Sequence, residues 1–349
     1  MTTKSNLKVA IVGCGVIGGR RSENLPAGTQ VTSLFDTDQS KAQSLSKKFS
    51  DSLVFDSLDK LIAAKNSDVA IVATINSSLV ETTQKLLNAG IHCIVEKPAA
   101  RNIAELSSLK IPNGAHLKIG FNHRFHPAFE EIQKRILARP DDPIMFIRAR
   151  YGNGARVGFD REWRSKVELA GGGELLDQGV HVLDLAGVLL PQLEVKTAWC
   201  RTHFWQMPVD DNSWAILSTP QGQTFSFHVS SSEWKNEFRF EVYTRQTKYV
   251  WNGLGRSYGP ETLTIFKMKP EMGPPDVEEI KYSSEDNSWL NENQHFFKFL
   301  REPEGKLLGN YGDAKRSLSW VEKIYQASFE FQKNSSFRPV EFLQGNPTK

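Results

Sequence analysis

The chain has 349 residues, 39% of them hydrophobic and 24% charged, with 43 basic against 40 acidic side chains. This composition is typical of a globular protein of about two domains, and the near-balanced charge argues against nucleic acid or an anionic membrane as partner. No stretch reaches the roughly 20 apolar residues of a membrane-spanning helix. Three cysteines are too few for a disulfide framework, so we expect a cytoplasmic protein.

The first third of the chain alternates short apolar strands with helical segments. The runs LKVAIVG, QVTSLFD, VAIVAT, HCIVE and HLKIGFN predict five strands, and the segments between them predict helices. Strands that are almost continuously apolar and alternate with helices form parallel sheets covered on both faces. We therefore expect an α/β domain over residues 1–122.

The remainder of the chain, residues 123–349, has a different pattern. A helix over HPAFEEIQKRIL and a strand over PIMFIRARYG precede seven strand-like runs, and two helices close the chain. This order predicts an α+β domain with a large, mostly antiparallel open sheet.

Alternating phenylalanines in two of these runs mark one face of the predicted sheet. They are Phe225, Phe227, Phe238 and Phe240. Such a face packs on helices or on another subunit, and we expect a homodimer or homotetramer.

The segment VGCGVIGG places Gly13, Gly15 and Gly18 in a G-x-G-x-x-G pattern between the first strand and a helix. The glycines permit a tight turn, close approach of a pyrophosphate and close helix–strand packing, while the helix N-terminus offers free N–H groups to phosphate. Asp36 ends the second strand, where a carboxylate binds ribose hydroxyls. It would repel a 2′-phosphate, so the pattern predicts a Rossmann domain that binds NAD rather than NADP.

Further residues are predicted to contact the cofactor from their positions in this domain. They are Val16 and Ile17 in the glycine motif, Thr74 after the third strand, and Glu96 and Lys97 at the end of the fourth. Arg20 and Arg21 follow the glycines, and we expect them to be solvated surface side chains.

Lys97, in VEKPAAR, follows the fourth strand at the edge where open α/β sheets bind ligands. A second polar group lies in GGGELLDQGVHVLDL, residues 171–185, where Asp177, His181 and Asp184 share one face of a predicted helix. Three interpretations compete: a metal site, an acid/base pair and a buried structural network. We expect no metal, because no other motif adds ligands and Lys97 would oppose a cation.

The roles of these groups follow from their chemistry. We favour a functional role for Asp177 and His181, since imidazole titrates near neutral pH. Asp184 is expected to support the helix or His181. The glycines at 171–173 are expected to let the backbone approach a ligand closely.

Together, the glycine motif, AGIHCIVEKP, IGFNHRFHP and WRSKVELAGGGELLDQGVHVLDL resemble the glucose-fructose oxidoreductase, inositol dehydrogenase and rhizopine catabolism (Gfo/Idh/MocA) family. The resemblance implies a Rossmann domain followed by a domain with a large open sheet, a nicotinamide cofactor, and a sugar or polyol substrate. It also implies that Lys97 is the active-site lysine, with Asp177 and His181 as its acidic and histidine partners.

The chain departs from this family at the helix after the third strand. Many members have Thr-Pro followed by a histidine there, whereas this chain has Ile75 and Leu79 at those positions. We therefore expect this helix to supply no polar contact to the substrate.

The predicted catalytic residues are Lys97, Asp177 and His181. His181 would take the hydroxyl proton, Lys97 would polarise the oxygen, and Asp177 would fix the substrate or the base. The predicted substrate-binding residues are these three together with Asn122, Arg124, Trp163 and Arg164. We expect His123 and His126 to be structural. Basic residues in the loop around Trp163 favour an anionic substrate, such as a nucleotide-linked sugar.

The expected function is an NAD-dependent oxidoreductase acting on a secondary alcohol or ketone of a sugar, nucleotide-sugar or polyol. An NAD-dependent glycosidase that oxidises its sugar transiently would use the same Lys97 and His181. A non-catalytic NAD-binding regulator is the third alternative, and the intact set of Lys97, Asp177 and His181 argues against it.

Overall fold

The computed structural model describes residues 6–271 and 273–334. Its first sheet has six parallel strands: β1 (Leu7–Val12), β2 (Thr29–Phe35), β3 (Leu53–Phe55), β4 (Val69–Val72), β5 (His92–Glu96) and β6 (Leu117–Gly120). Their spatial order is β3-β2-β1-β4-β5-β6. The order reverses between β1 and β4, and ligands bind at such a switch point in open α/β sheets.

Five helices accompany this sheet: α1 (Val16–Glu23), α2 (Gln39–Ser46), α3 (Leu58–Ala63), α4 (Asn76–Asn88) and α5 (Ile103–Ser108). Every residue of β4 and β6 is buried, which confirms the prediction of a parallel sheet covered on both faces. The strand β3 and the helix α5 were not predicted. Segments of three and six residues are too short for hydrophobic periodicity to be visible.

The second sheet has eight strands: β7 (Ile144–Gly152), β8 (Glu194–Arg201), β9 (Asn212–Ser218), β10 (Thr224–Ser230), β11 (Glu237–Thr244), β12 (Thr247–Asn252), β13 (Thr262–Lys267) and β14 (Asp276–Lys281). Their order is β14-β13-β12-β11-β7-β10-β9-β8. All neighbours are antiparallel except β7 and β10, which run parallel. The prediction of a large, mostly antiparallel open sheet is confirmed.

Five more helices complete the described fold: α6 (Pro127–Leu137), α7 (Val167–Ala170), α8 (Val180–Leu189), α9 (Ser288–Arg301) and α10 (Tyr311–Asn334). Eight of the ten residues of α8 are buried. Phe225, Phe227, Phe238 and Phe240 are also buried, in the hydrophobic core that contains the apolar residues of α8. The phenylalanine face of the second sheet therefore packs on helices of its own chain.

The helix α9 belongs to the second half of the chain but packs on the first sheet. Phe296 and Phe297 are fully buried in a cluster with Val9, Ile11 and Ile94. One side of the Rossmann sheet is thus covered by a segment that returns from the end of the chain. The division into 1–122 and 123–349 stays a prediction. None of the helices in the described part of the chain is both long and apolar enough to cross a membrane.

Replacing Phe297 by alanine should lower the free energy of unfolding by about 3–5 kcal/mol, because it leaves a cavity between α9 and the first sheet. The matched control is Phe329→Ala, since the Phe329 side chain is 66% exposed. Denaturant unfolding of both variants measures the difference. Equal losses in the two variants would contradict the packing described for α9.

Candidate active site

The glycine motif forms a tight turn at the switch point of the first sheet. Gly13 has a φ of +92°, and a Cβ there would lie 2.5 Å from the carbonyl oxygen of Ala73. A Cβ on Gly18 would lie 1.9 Å from the oxygen of Gly13, so this position also requires glycine. A Cβ on Gly15 would meet nothing within 4 Å. The open space at Gly15, next to the N-terminus of α1, fits a pyrophosphate against the backbone.

Asp36 follows β2 and faces this loop. Its Oδ2 accepts a hydrogen bond from the Cys14 backbone N–H at 2.7 Å, and its Oδ1 accepts one from the Asp38 N–H at 2.8 Å. The residue is partly exposed, so the carboxylate can still accept hydrogen bonds from ribose hydroxyls. The acidic Asp38 nearby adds further negative charge.

Three other residues were predicted to contact the cofactor. They lie beside this loop or beside the next strand. Val16 is 79% exposed at the start of α1, with the half-buried Ile17 beside it. Thr74 lies in the turn after β4, where its hydroxyl donates to the Ile75 carbonyl at 3.3 Å. All three lie near the switch point, and their contacts with a cofactor stay predictions.

Lys97 lies directly after β5 and reaches across to the second domain. Its Nζ donates to the carbonyl oxygen of Asp177 at 2.7 Å and forms an ion pair with Asp177 Oδ1. The other carboxylate oxygen of Asp177 lies 3.3 Å from Arg164 Nε. Burial alone would raise the pKa of Asp177, but Lys97 and Arg164 more than offset burial and lower it to about 2. Asp177 is therefore an anion between two cations.

Asp177 lies in a π-helical turn, Leu175–Gly179, that precedes α8. The sequence predicted an α-helical stripe, but the wider π turn changes the spacing, and no hydrogen bond between Asp177 and His181 is present. Asp210 fixes the start of this turn by accepting hydrogen bonds from the N–H groups of Gly173 at 3.1 Å and Leu175 at 2.8 Å. Turns of this kind are frequent at functional sites.

The glycines at 171–173 were expected to let the backbone approach a ligand, and this expectation was wrong. A Cβ on Gly171 would lie 2.5 Å from Arg101 Cβ, and one on Gly172 would lie 2.6 Å from the Tyr325 hydroxyl. A Cβ on Gly173 would lie 2.0 Å from the oxygen of Asp210. The three glycines therefore pack closely against side chains and backbone of the protein itself, and these contacts position the turn that carries Asp177.

His181, in the first turn of α8, is buried and stacks on His123 with ring centroids 3.9 Å apart. Its Nδ1 is sealed from solvent with no hydrogen-bond partner, whereas its Nε2 is not sealed. Burial, and then the charge of Lys97, lower the pKa of His181 well below its ordinary value. The imidazole is thus neutral at neutral pH. His123, expected to be structural, positions the ring of His181.

Two predicted substrate-binding residues are engaged in contacts within the protein. Asn122 donates to the Ser288 hydroxyl at 2.9 Å, and its Oδ1 lies 3.2 Å from His123 Nδ1. The Arg124 guanidinium binds both oxygens of Asp184 and lies 3.0 Å from Asp313. Asp184 therefore supports a buried ion-pair network.

Arg21 is fully buried, so the expectation of a solvated surface side chain was wrong for this residue. Its Nε lies 2.6 Å from Glu96 and its Nη1 2.5 Å from Glu292 of α9, and Glu292 also lies 3.3 Å from Lys118. Glu96 was predicted to contact the cofactor, but its carboxylate binds Arg21. This buried cluster fixes the position of Glu96, the residue directly before Lys97.

A narrow cleft with a volume of about 10 Å³ lies beside Asp177, and we call it the substrate cleft after the role we propose for it. Its lining includes Asn76, Phe159, Trp163, Arg164, Glu174, Asp177 and Met207. Trp163 and Arg164 lie together in this lining, with the guanidinium 4.6 Å from the centre of the indole ring, and their contact with a substrate stays a prediction.

Sequence reasoning missed three residues of this region: Asn76, Glu174 and Asp210. Asn76, at the start of α4, lines the substrate cleft and donates to the Ala170 carbonyl at 2.9 Å. A polar residue directly after the third strand was the available signal for Asn76. Asp210 gave no signal, because the turn residues that it binds, Gly173 and Leu175, lie more than 30 residues away. Among the described residues, no three His, Cys, Asp or Glu side chains are grouped to hold a metal ion.

The six-stranded order, the glycine turn and Asp36 define a dinucleotide-binding protein with a lysine–carboxylate site facing a second domain. A family described as an oxidoreductase family with an NAD-binding Rossmann fold matches residues 7–111, and the Gfo/Idh/MocA C-terminal domain matches residues 142–250. The chain belongs to the Gfo/Idh/MocA family, as the sequence resemblance indicated.

Individual relatives agree with this membership. The chain is 29% identical over 201 residues to D-glucoside 3-dehydrogenase of Escherichia coli, a match that spans 56% of this chain and 57% of that protein. It is 27% identical over 223 residues to dTDP-3,4-didehydro-2,6-dideoxy-alpha-D-glucose 3-reductase of Streptomyces violaceoruber, covering 61% and 63% of the two chains. The matches thus cover less than two thirds of the length of these relatives.

Solved structures share the fold. A levoglucosan dehydrogenase in complex with NADH superposes with a TM-score of 0.84 at 20% identity, covering 93% of this chain and 98% of that one. KijD10, a 3-ketoreductase from Actinomadura kijaniata in complex with NADP and TDP-benzene, has a TM-score of 0.79 at 19% identity, with 93% and 98% coverage.

Substitution of the glycines should separate cofactor binding from folding. Gly15→Ala should keep the melting temperature and weaken NADH binding, because its Cβ fills the space open to pyrophosphate. Gly18→Ala should lower the melting temperature, because its Cβ collides with the Gly13 backbone.

The control is Gly19→Ala, since a Cβ there meets nothing within 4 Å. It should preserve both properties. Calorimetric titration with NADH and thermal unfolding give the two readouts. Unchanged NADH affinity in Gly15→Ala would contradict this placement of the cofactor.

Proposed function

We propose that this protein is an NAD-dependent oxidoreductase that transfers a hydride between nicotinamide and a secondary alcohol or ketone of a sugar, nucleotide-sugar or polyol. The observation that carries the proposal is the ion pair of Lys97 with Asp177, at the carboxyl end of β5 and beside the substrate cleft. When bound, the nicotinamide supplies the hydride acceptor or donor. The names of the relatives, dehydrogenases and reductases of sugars, support the substrate class.

Lys97 and Asp177 act together in this proposal. The Lys97 ammonium stabilises negative charge on the substrate oxygen as its proton leaves. Asp177, anionic because of Lys97 and Arg164, keeps the ammonium in place and can accept a hydrogen bond from a neighbouring hydroxyl. The side chain of Lys97 is 19% exposed, so it remains accessible to a substrate in the cleft.

His181 is the proposed proton acceptor. Its lowered pKa keeps the imidazole neutral through neutral pH, so a nitrogen is free to accept the hydroxyl proton. The unsealed Nε2 is the atom assigned to this step. In the reverse direction the same buried imidazolium donates its proton readily, because burial disfavours its charge.

NAD is the proposed cofactor in preference to NADP. The carboxylate of Asp36 lies where ribose hydroxyls bind, and Asp38 two residues later adds a second negative charge. Both would repel a 2′-phosphate.

We further propose that the protein is a cytoplasmic homo-oligomer. Among the described residues, the second sheet carries exposed apolar side chains, including Trp214 at 37% and Ile216 at 43% exposure. Burial of such side chains against a second subunit would remove them from water. All three cysteines are free and buried, which fits a reducing compartment.

Lys97→Ala should abolish sugar-dependent formation of NADH while leaving the affinity for NADH within about 3-fold, because the lysine acts on the substrate oxygen. The matched control is Lys110→Ala, which removes an exposed lysine near α5 and should leave turnover unchanged. The measurement is NADH absorbance with a panel of polyols, hexoses, uronic acids, glucosides and nucleotide-sugars.

The outcomes of this panel separate the candidate functions. Wild-type turnover that survives Lys97→Ala would refute the catalytic role of the lysine. Release of free sugar from a glucoside without net NADH would favour the glycosidase over the dehydrogenase. Tight NADH binding with neither product would favour the regulator.

Asp36→Ser should raise the affinity for NADP at least about 10-fold relative to NAD, because it removes the charge that opposes a 2′-phosphate. Kd values for both nucleotides in wild type and variant measure the ratio. The control is Asp51→Ser, an exposed acid outside the site. A wild type that binds NADP as tightly as NAD would overturn the cofactor proposal.

A further inference from the structure

Glu174 differs from every other carboxylate that the described residues bury. Ten aspartate and glutamate residues are buried in this part of the chain. Nine of them either pair with an arginine, lysine or histidine or accept at least three hydrogen bonds. Glu174 has neither, and it accepts a single long hydrogen bond, from Asn153 Nδ2 at 3.4 Å. Buried polar groups with unused bonding capacity need an explanation, and a missing ligand is one.

The position of Glu174 supports a ligand as that explanation. It lines the substrate cleft one turn before Asp177, and the two share that cleft with Arg164. The second carboxyl oxygen has no partner among the described residues, and it is not sealed from solvent as Nδ1 of His181 is. An oxygen that is unbonded and open in a cleft wall is available to a molecule bound there.

The charges around Glu174 favour its neutral form. Burial, followed by the nearby carboxylates of Asp177 and Asp210, raises the pKa of Glu174 well above its ordinary value. Lys97 and Arg164 act in the opposite sense, but their ion pairs are made with Asp177. The other titratable groups facing it are the hydroxyls of Tyr151 and Tyr258, whose own pKa values are raised. Burial and the two carboxylates therefore favour the carboxylic acid form of Glu174, which has one O–H to donate.

We propose that Glu174 contacts the substrate and donates a hydrogen bond to a sugar oxygen other than the one being oxidised. The inference rests on the proposed function, because Lys97 and His181 already serve the reacting oxygen. Glu174 lines the substrate cleft, whereas Lys97 and His181 are not among its lining residues, so its partner is a second hydroxyl or a ring oxygen. The residue selects sugars that present an acceptor at that position.

The consequence is a specificity rule. A sugar with an oxygen at this position satisfies the Glu174 O–H, whereas its deoxy analogue leaves a buried donor unpaired. A sugar carboxylate at the same position could bind only by sharing the proton of Glu174. Its affinity should therefore fall as pH rises and that proton is lost. Ionisation of Glu174 at alkaline pH removes the donor, so kcat/KM for a neutral sugar should fall as pH rises through the raised pKa.

The test compares Glu174→Gln and Glu174→Leu with wild type on a neutral sugar that the substrate panel identifies, between pH 6 and 10. Glutamine keeps a neutral donor, so it should retain kcat/KM within about 3-fold at neutral pH and lose the alkaline decline. Leucine cannot donate, and it should lower kcat/KM by roughly 10- to 100-fold, mainly through KM. NADH affinity should be unchanged in both.

The matched controls are Glu168→Gln and Glu168→Leu, which change an exposed acid in the neighbouring helix α7 and should alter neither KM nor the pH profile. A Glu174→Leu variant with wild-type KM would overturn the inference, and so would an alkaline decline that persists in Glu174→Gln. If the leucine variant does not fold, the pH profile of the glutamine variant decides. A wild type inactive on every sugar would instead overturn the proposed function, and this inference with it.

Discussion

The arrangement of the site depends on buried charges that must be paired. Isolated charges are costly in a protein interior, so Arg21 can be fully buried only because Glu96 and Glu292 accept it. That cluster ties α9 and the first sheet together at the residue preceding Lys97. Lys97 in turn pairs with Asp177 of the second domain, and Asp177 with Arg164. Through the adjacent residues Glu96 and Lys97, these ion pairs connect the first helix to the substrate cleft.

The same low-polarity environment gives neighbouring groups different protonation states. Two cations keep Asp177 ionised, while burial raises the pKa of Glu174 and lowers that of His181, which favours the neutral form of each. The three groups can therefore have different roles: Asp177 carries charge, Glu174 donates a hydrogen bond and His181 accepts a proton. The division arises from which side chains reach a cation, since Glu174 and Asp177 are chemically similar and lie three residues apart.

Much of this fold could be predicted from local patterns. The strand HCIVE was predicted with the observed bounds of β5, and the strands of the second half and the helices α6, α9 and α10 were placed within a few residues. Apolar runs and glycine spacing are properties of short stretches of chain, so they can be recognised in a single sequence. Ion pairs and hydrogen bonds between residues that are distant in the chain cannot be recognised in this way. Arg21 was therefore assigned to the surface, and Asn122 and Arg124 were assigned to the substrate although their polar atoms serve Ser288, Asp184 and Asp313.

The sequence by itself determined the cofactor turn, the place of Lys97 after its strand, and the selection of Asp177 and His181 as functional candidates. Each rests on the chemistry of a short segment whose position relative to a strand or helix is visible. Only the tertiary structure decided which charges meet: that Glu96 binds Arg21, that Asp177 binds Lys97, and that Glu174 is buried without an ion pair. The ion pairs join residues that are distant in the chain, and the state of Glu174 depends on the lack of an ion-pair partner. Neither can be deduced from local spacing.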